Sequence, residues 1–260
     1  MTDAVRSAWT HALGEARRCG RAIAPLREAE LTLSIDEAYC VQQQLVDEEV
    51  ARGEVVAGYK MGLTSAAKQQ AMGVSEPIYG QLYRSMMRSP EASLDLGAFI
   101  HPRIEPEVAV VLDQALRGPD LTEADVIQAV RVVVPVLEVI DSRYQDFRFT
   151  LPDVIADNAS AAAVIIGSTM VPPEEVDWVA AGVRLHKNGE LVQGAATAAV
   201  LGHPARAVMR LAALLAARDR EIPAGSLILT GAITDAVAMG AGDVFLAKWQ
   251  GIGTMQVRCV

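Results

Sequence analysis

Glu105 and Glu107 stand two residues apart at the head of the run Ile104-Glu105-Pro106-Glu107-Val108-Ala109-Val110-Val111-Leu112. Side chains alternate along a strand, so both carboxylates project from one face. The apolar residues that follow read as a strand covered on both sides, so the acids head into the interior. A further carboxylate, Glu138, interrupts a second such run, Val132 to Ile140. Burying a carboxylate without a partner is costly. For Glu138 alone the structural alternative is an ion pair with Arg143 or Arg103. Lys60 lies in the Gly-flanked stretch Val55 to Thr64. A lysine there is either an edge residue reaching solvent or a buried cation with a purpose, and the strand alone favours the first.

Taken together, Glu105, Glu107 and Glu138 carry more charge than Lys60 and Arg143 balance without a crowded network. An all-carboxylate set, with no His or Cys, suits Mg²⁺ or Mn²⁺ better than Zn²⁺. An ion held this way keeps positions open for a substrate. It can chelate a 2-oxo acid through its carboxylate and keto oxygen and act as a Lewis acid. The residues alone leave the reaction open. Gly225, Gly231, Gly240 and Gly242 form no phosphate loop, and no Ser occupies a G-x-S-x-G elbow. His203, between Gly202 and Pro204, reads as a turn or helix-start residue; His101 lies near the acids in sequence but is not needed by them.

Positioning these residues requires a long series of strands. Residues 3–19 have helical spacing and stop at Gly20. Ser34 and Glu37 form a capping box for a helix running to about Arg52, ended by Gly53. These helices head an N-terminal, mostly helical subdomain, 1–75, before a catalytic domain, 76–260. Thr64/Ser65 caps a short helix, Thr122 with Asp125 opens another, and 153–160 is a polar turn or short helix. Ala161 to Ile166 is an apolar strand, and Asn188-Gly189 turns a hairpin over Val183 to Val192. A helix after Pro204 buries Val208, Leu211, Leu214 and Leu215. Strands at 227–230, 244–249 and 255–259 complete an α+β order.

The chain has 260 residues, 51% of them hydrophobic and 21% charged, which is globular composition. Its net charge of −9, with no basic block, argues against nucleic acid and anionic membrane as partners. Cys19, Cys40 and Cys259 lack metal-ligand spacing and read as inert thiols of a reducing cytoplasm. No signal peptide is evident, nor an apolar run approaching the roughly 20 residues of a membrane span. A positive mean hydropathy points to a homo-oligomer.

Several motifs resemble one family: Gly58-Tyr59-Lys60-Met61-Gly62-Leu63-Thr64-Ser65, Ile104 to Glu107, Leu137-Glu138-Val139-Ile140-Asp141-Ser142-Arg143-Tyr144, Ala156-Asp157-Asn158-Ala159-Ser160, Leu201-Gly202-His203-Pro204 and Thr230-Gly231-Ala232. They resemble the 2-oxopent-4-enoate hydratase and 4-oxalocrotonate decarboxylase family of the fumarylacetoacetate hydrolase superfamily, in order and over nearly the whole chain. The resemblance implies a mixed β-sandwich roll with a helical N-terminal part. It implies Mg²⁺ or Mn²⁺ on Glu105, Glu107 and Glu138, Lys60 as the catalytic residue, and Leu63, Ile78, Asp141, Arg143, Ser160 and Thr230 around the substrate. Arg143 would meet the second substrate carboxylate or orient Asp141. It also implies a place in meta-cleavage degradation of aromatic compounds and a possible complex between decarboxylase and hydratase.

Hydratases of the family typically carry Asp where this chain has Ile78. Adding water across a conjugated alkene needs an acid/base, which Ile78 cannot provide. Loss of CO₂ needs an electron sink and a dry pocket, which it suits. The resemblance therefore implies decarboxylation of 2-oxohex-3-enedioate, a 2-oxo dicarboxylate, to 2-hydroxypenta-2,4-dienoate. The alternatives are the hydratase reaction and a non-catalytic scaffold for a hydratase.

Overall fold

The computed structural model describes residues 3–25 and 33–260. In chain order the elements are α1 (Asp3–Cys19), α2 (Ile35–Ala51), β1 (Val56–Gly62), α3 (Ala66–Met72), β2 (Ile78–Tyr83), β3 (Met87–Arg88), β4 (Arg103–Leu112), α4 (Glu123–Ala129), β5 (Val130–Ile140), α5 (Leu151–Ala156), β6 (Ala161–Ile166), β7 (Gly182–Lys187), β8 (Glu190–Ala196), α6 (Pro204–Ala216), β9 (Leu227–Leu229), β10 (Val237–Ala238), β11 (Val244–Trp249) and β12 (Gly253–Arg258). The expected α+β architecture, with mixed sheets and a helical N-terminal part, is present.

Among the described residues, one mixed sheet runs β2-β1-β9-β4-β5-β6-β3, with β10 beside β4; a second, antiparallel sheet runs β12-β11-β7-β8. Strands β4 and β5 form the long antiparallel centre of the first sheet. Their Val-rich stretches are buried on both faces, which is why they read as unbroken apolar runs. Proline in a central strand would normally cost a ladder hydrogen bond. Pro106 escapes this because β10 pairs with β4 at residues 103–104 and β9 at 109–111, leaving position 106 between them. There its carbonyl accepts from Ile233 N–H at 3.1 Å. The interrupted edge admits residues 230–236 beside the two glutamates.

Capping chemistry places the helices as expected. Ser34 with Glu37 and Thr122 with Asp125 form complete capping boxes, and Thr150 with Asp153 forms another. Helix α2 packs on β2: Tyr39 stacks on Tyr79 at 4.6 Å, and Gln42 donates to the carbonyls of Tyr79 and Ile155. Strand β2 was not evident in the sequence, because Gly80 and Gln81 break its apolar pattern. Both are buried against other parts of the fold. A Cβ on Gly80 would lie 2.4 Å from the Asn158 carbonyl oxygen. The expected division at residue 75 passes between β1 and β2, which are hydrogen-bonded to each other.

The β7–β8 hairpin turns at Asn188 and Gly189, both at positive φ, as the Asn-Gly pair requires. Helix α6 buries Val208, Leu211 and Leu215, but Leu214 only partly. By length and composition, Thr197–Ala216 passes as a candidate membrane span, against the sequence expectation. Only 13 of those residues are α-helical, about 20 Å at 1.5 Å per residue, short of a hydrocarbon core of roughly 30 Å. Its apolar face is packed into the protein core, and we read it as a core helix.

Candidate active site

In the β4–β5 register Glu105 lies directly opposite Glu138, and Glu107 is two residues further along the same face. Oxygens of the three carboxylates come within 4.8 Å of one another. Glu107 and Glu138 are fully buried and Glu105 is 6% exposed. Among the described residues no other His, Cys, Asp or Glu trio clusters in this way.

Lys60 enters from β1, which is no edge: β2 flanks it on one side and β9 on the other. The solvent-reaching alternative therefore fails, and Lys60 is 4% exposed. Its Nζ donates to the Ala159 carbonyl at 3.0 Å and lies 3.1 Å from Glu138 Oε1, at ion-pair distance but without hydrogen-bond alignment. Neither Arg143 nor Arg103 is the partner of Glu138. Burial disfavours the Lys60 ammonium, but Glu138, Glu107 and Glu105 outweigh that and hold its pKa above the usual lysine value. Burial, and then repulsion from Glu138, pushes Glu107 well above the usual carboxylate range. Burial also raises Glu138, against the pull of Lys60.

One oxygen of Glu107 accepts from Gly231 N–H at 2.7 Å. Gly231 has φ +116°, and a Cβ there would strike Thr64 at 2.0 Å, so only glycine brings this amide to the carboxylate. The other Glu107 oxygen and both Glu138 oxygens are buried without a hydrogen-bond donor. Two carboxylate oxygens with no partner and a third with only the Lys60 ion pair, all of a hard donor type, fit a divalent cation of the Mg²⁺ or Mn²⁺ kind.

Beside this cluster lies a cavity of about 180 Å³. Lys60, Lys68, Glu105 and Ser160 give it polar points. Leu63, Met72, Ile78, Ile140, Phe147, Phe149, Val154 and Ala232 make the rest largely apolar. Leu63 (φ +56°) stands where β1 turns toward α3. Ser160 is 3% exposed and its Oγ has no partner. It ends a run of three non-glycine residues at positive φ: Asn158 (+52°), Ala159 (+51°) and Ser160 (+57°). Such a run is strained and needs clamping. The Asn158 side chain supplies one clamp, pairing with Gln81 N–H at 2.7 Å and Gln81 C=O at 2.8 Å.

Arg143 supplies another, and here the expectation of substrate contact is corrected. Its guanidinium is bound to the Asp157 carboxylate and carbonyl, to Asp141 C=O at 2.7 Å and to Ala161 C=O at 3.2 Å. It does not line the cavity. Asp141 points elsewhere too, accepting from Ile100 and His101 N–H at 2.8 Å each and so tying that loop to the end of β5. Thr230 is fully buried, with its hydroxyl donating to Val108 C=O at 2.8 Å, and it is also outside the cavity wall. His203 caps α6, accepting from Ala205 N–H at 3.1 Å, and His101 faces Ser142 C=O at 2.8 Å.

Sequence reasoning overlooked Lys68, on α3. Its Nζ lies 2.9 Å from Glu105 Oε1 and 3.4 Å from Thr234 C=O. A signal was present: the third residue after the cap is Glu37, Asp125 or Asp153 in α2, α4 and α5, but Lys68 in α3. A cation in the first turn opposes the helix dipole.

The chain matches the fumarylacetoacetate (FAA) hydrolase C-terminal family over residues 53–260. It is 46% identical to a 4-oxalocrotonate decarboxylase of Pseudomonas putida, over 88% of this chain and 86% of that one. It is 36% identical to a 2-keto-4-pentenoate hydratase of Paraburkholderia xenovorans LB400, over 99% and 96%. The solved 4-oxalocrotonate decarboxylase of Pseudomonas putida G7, complexed with magnesium and adipate, superposes with a TM-score of 0.97 at 41% identity, covering 100% of this chain and 99% of that one. By its matched length and by these relatives, the chain belongs to the fumarylacetoacetate hydrolase C-terminal family.

Proposed function

We propose that this protein decarboxylates 2-oxohex-3-enedioate (4-oxalocrotonate) to 2-hydroxypenta-2,4-dienoate and CO₂, in the meta-cleavage degradation of aromatic compounds, using Mg²⁺ or Mn²⁺ held by Glu105, Glu107 and Glu138. The observation that carries this is the buried carboxylate trio, with donor-less oxygens on Glu107 and Glu138, whose third member Glu105 lines a cavity walled largely by apolar side chains. Likeness to decarboxylases and the magnesium–adipate complex of one of them support the reading. When bound, the cation supplies a Lewis acid for the 2-oxo acid head of the substrate.

The chain's own residues divide the remaining work. Lys60, buried and 3.1 Å from Glu138 Oε1, places its amino group beside the position where negative charge develops as the distal C–C bond breaks. Its hydrogen bond to Ala159 C=O fixes where that group sits. The Ser160 hydroxyl, with no protein partner, is free to donate to a substrate oxygen. Ile78, Phe147, Phe149 and Val154 exclude water from the departing carboxylate, which favours neutral CO₂ over the solvated anion. No acid or base stands at position 78 to deliver water to an alkene, which sets the hydratase reaction behind decarboxylation. Exposed Val50, Val55, Leu191 and Val192 support self-association; a complex with a hydratase remains a proposal from the family resemblance.

The test is CO₂ release from the purified protein on 2-oxohex-3-enedioate. Release with added Mg²⁺ or Mn²⁺, lost with a chelator, is the expected result. Hydration of 2-hydroxypenta-2,4-dienoate with no CO₂ from the dicarboxylate would overturn it.

A further inference from the structure

The substrate class proposed above has a carboxylate at each end, and the cavity offers few charges to meet them. Among its described lining residues the charged side chains are Lys60, Lys68 and Glu105. Lys60 is buried and committed to Glu138 and Ala159. Arg143 is sealed behind the wall by Asp157 and three carbonyls. Arg103 is exposed, lies 4.4 Å over the Phe147 ring and is not among the lining residues. Lys68 is different. Its side chain is 28% exposed, it reaches the cavity from a short helix, and it is paired with the least buried of the three glutamates.

A divalent cation together with Lys60 just neutralises Glu105, Glu107 and Glu138. Glu105 then no longer needs Lys68, whose ammonium remains at the wall of an otherwise apolar chamber. A carboxylate entering that chamber is costly to desolvate without a positive partner. Resting on the proposed reaction, we infer that Lys68 is the residue that binds the second, metal-distal carboxylate of the substrate and makes the cavity selective for 2-oxo dicarboxylates over 2-oxo monocarboxylates. Its place in the first turn of α3, where α2, α4 and α5 carry an acid, fits a residue kept for its ligand rather than its helix.

The test compares 2-oxoadipate with 2-oxohexanoate, equal in length and in their chelating head and different only in the distal carboxylate. Binding of each to Mg²⁺-loaded protein is measured by calorimetry, alongside Mg²⁺ binding itself. The native protein should prefer 2-oxoadipate by about ten-fold or more, and Lys68→Met should erase that preference by weakening 2-oxoadipate alone. Affinity for 2-oxohexanoate and Mg²⁺ should hold, and Lys68→Arg should restore part of the preference. Equal loss for both acids, weakened Mg²⁺ binding, no loss at all, or loss of the preference in Arg103→Met instead would each overturn the assignment. A native protein that releases CO₂ while Lys68→Met keeps the preference defeats only this inference. Absence of CO₂ release with the preference lost on substitution defeats only the proposed reaction.

Discussion

Arg143 with Asp157, and Lys60 with Glu105, Glu107 and Glu138, are both buried charge clusters, built near the same end of β5. In the first, one cation meets one carboxylate. The guanidinium nitrogens all donate, and Asp157 also accepts from Arg143 N–H at 3.1 Å. In the second, three carboxylates face the buried Lys60 ammonium and, at the cavity wall, that of Lys68, and three of their oxygens have no hydrogen-bond donor. Burial is equal, so burial does not separate them. The separating property is whether the protein completes its own charge and hydrogen bonds. A completed cluster holds a turn in place; an incomplete one, paid for by the fold around it, reserves its valences for a ligand.

Substitution should make the two clusters fail in opposite ways. Glu107→Gln should lower metal-dependent CO₂ release by at least about 10³-fold, the scale of losing a metal's Lewis acidity. The metal-free variant should melt no lower than the native protein, because a repelled carboxylate is removed. Full turnover at low Mg²⁺ would break the distinction. Arg143→Met should instead leave Asp157 buried and unpaired, costing about 3–5 kcal/mol of stability in denaturant unfolding. The folded fraction should still bind Mg²⁺ with native affinity.

The smallest effect is one of pH. Glu107 and Glu138 titrate above the ordinary carboxylate range, so the folded protein binds protons that the unfolded chain has released. Stability of the metal-free protein should therefore fall as pH rises from about 5 to 8. Asp157, which burial pushes up to about 6 despite Arg143 beside it, acts in the same direction. Saturating Mg²⁺ should remove the glutamates' share of the slope and leave that of Asp157. Thermal melting across this range with and without Mg²⁺ reads both shares.

The glutamates were legible because strand alternation and an apolar setting are local properties, and β4 and β5 follow each other in the chain. The capping boxes and the Asn-Gly hairpin were legible for the same reason. Lys60 was ambiguous because its burial depends on β9, a strand far along the chain that pairs in parallel with β1. Arg143 was half legible: it does hold its near neighbour Asp141, at the carbonyl, but its carboxylate partner Asp157 lies on another element. Lys68 was missed because its partner Glu105 lies on another element. Strand β2 was missed because its glycine and glutamine answer to contacts outside the strand.

Gly80 shows how far such a contact reaches. The space where its side chain would be is filled by the Asn158 carbonyl, and the next residue's carbonyl holds the Lys60 ammonium. Positions 80 and 158 are therefore not independent letters of the sequence. A larger residue at position 80 is compatible with the fold only if the backbone at 158 takes a different path. Any redesign or drift of β2 is thus steered by the lysine paired opposite Gly80 on β1, and the tolerance of an ordinary-looking strand is set by the height of one carbonyl oxygen.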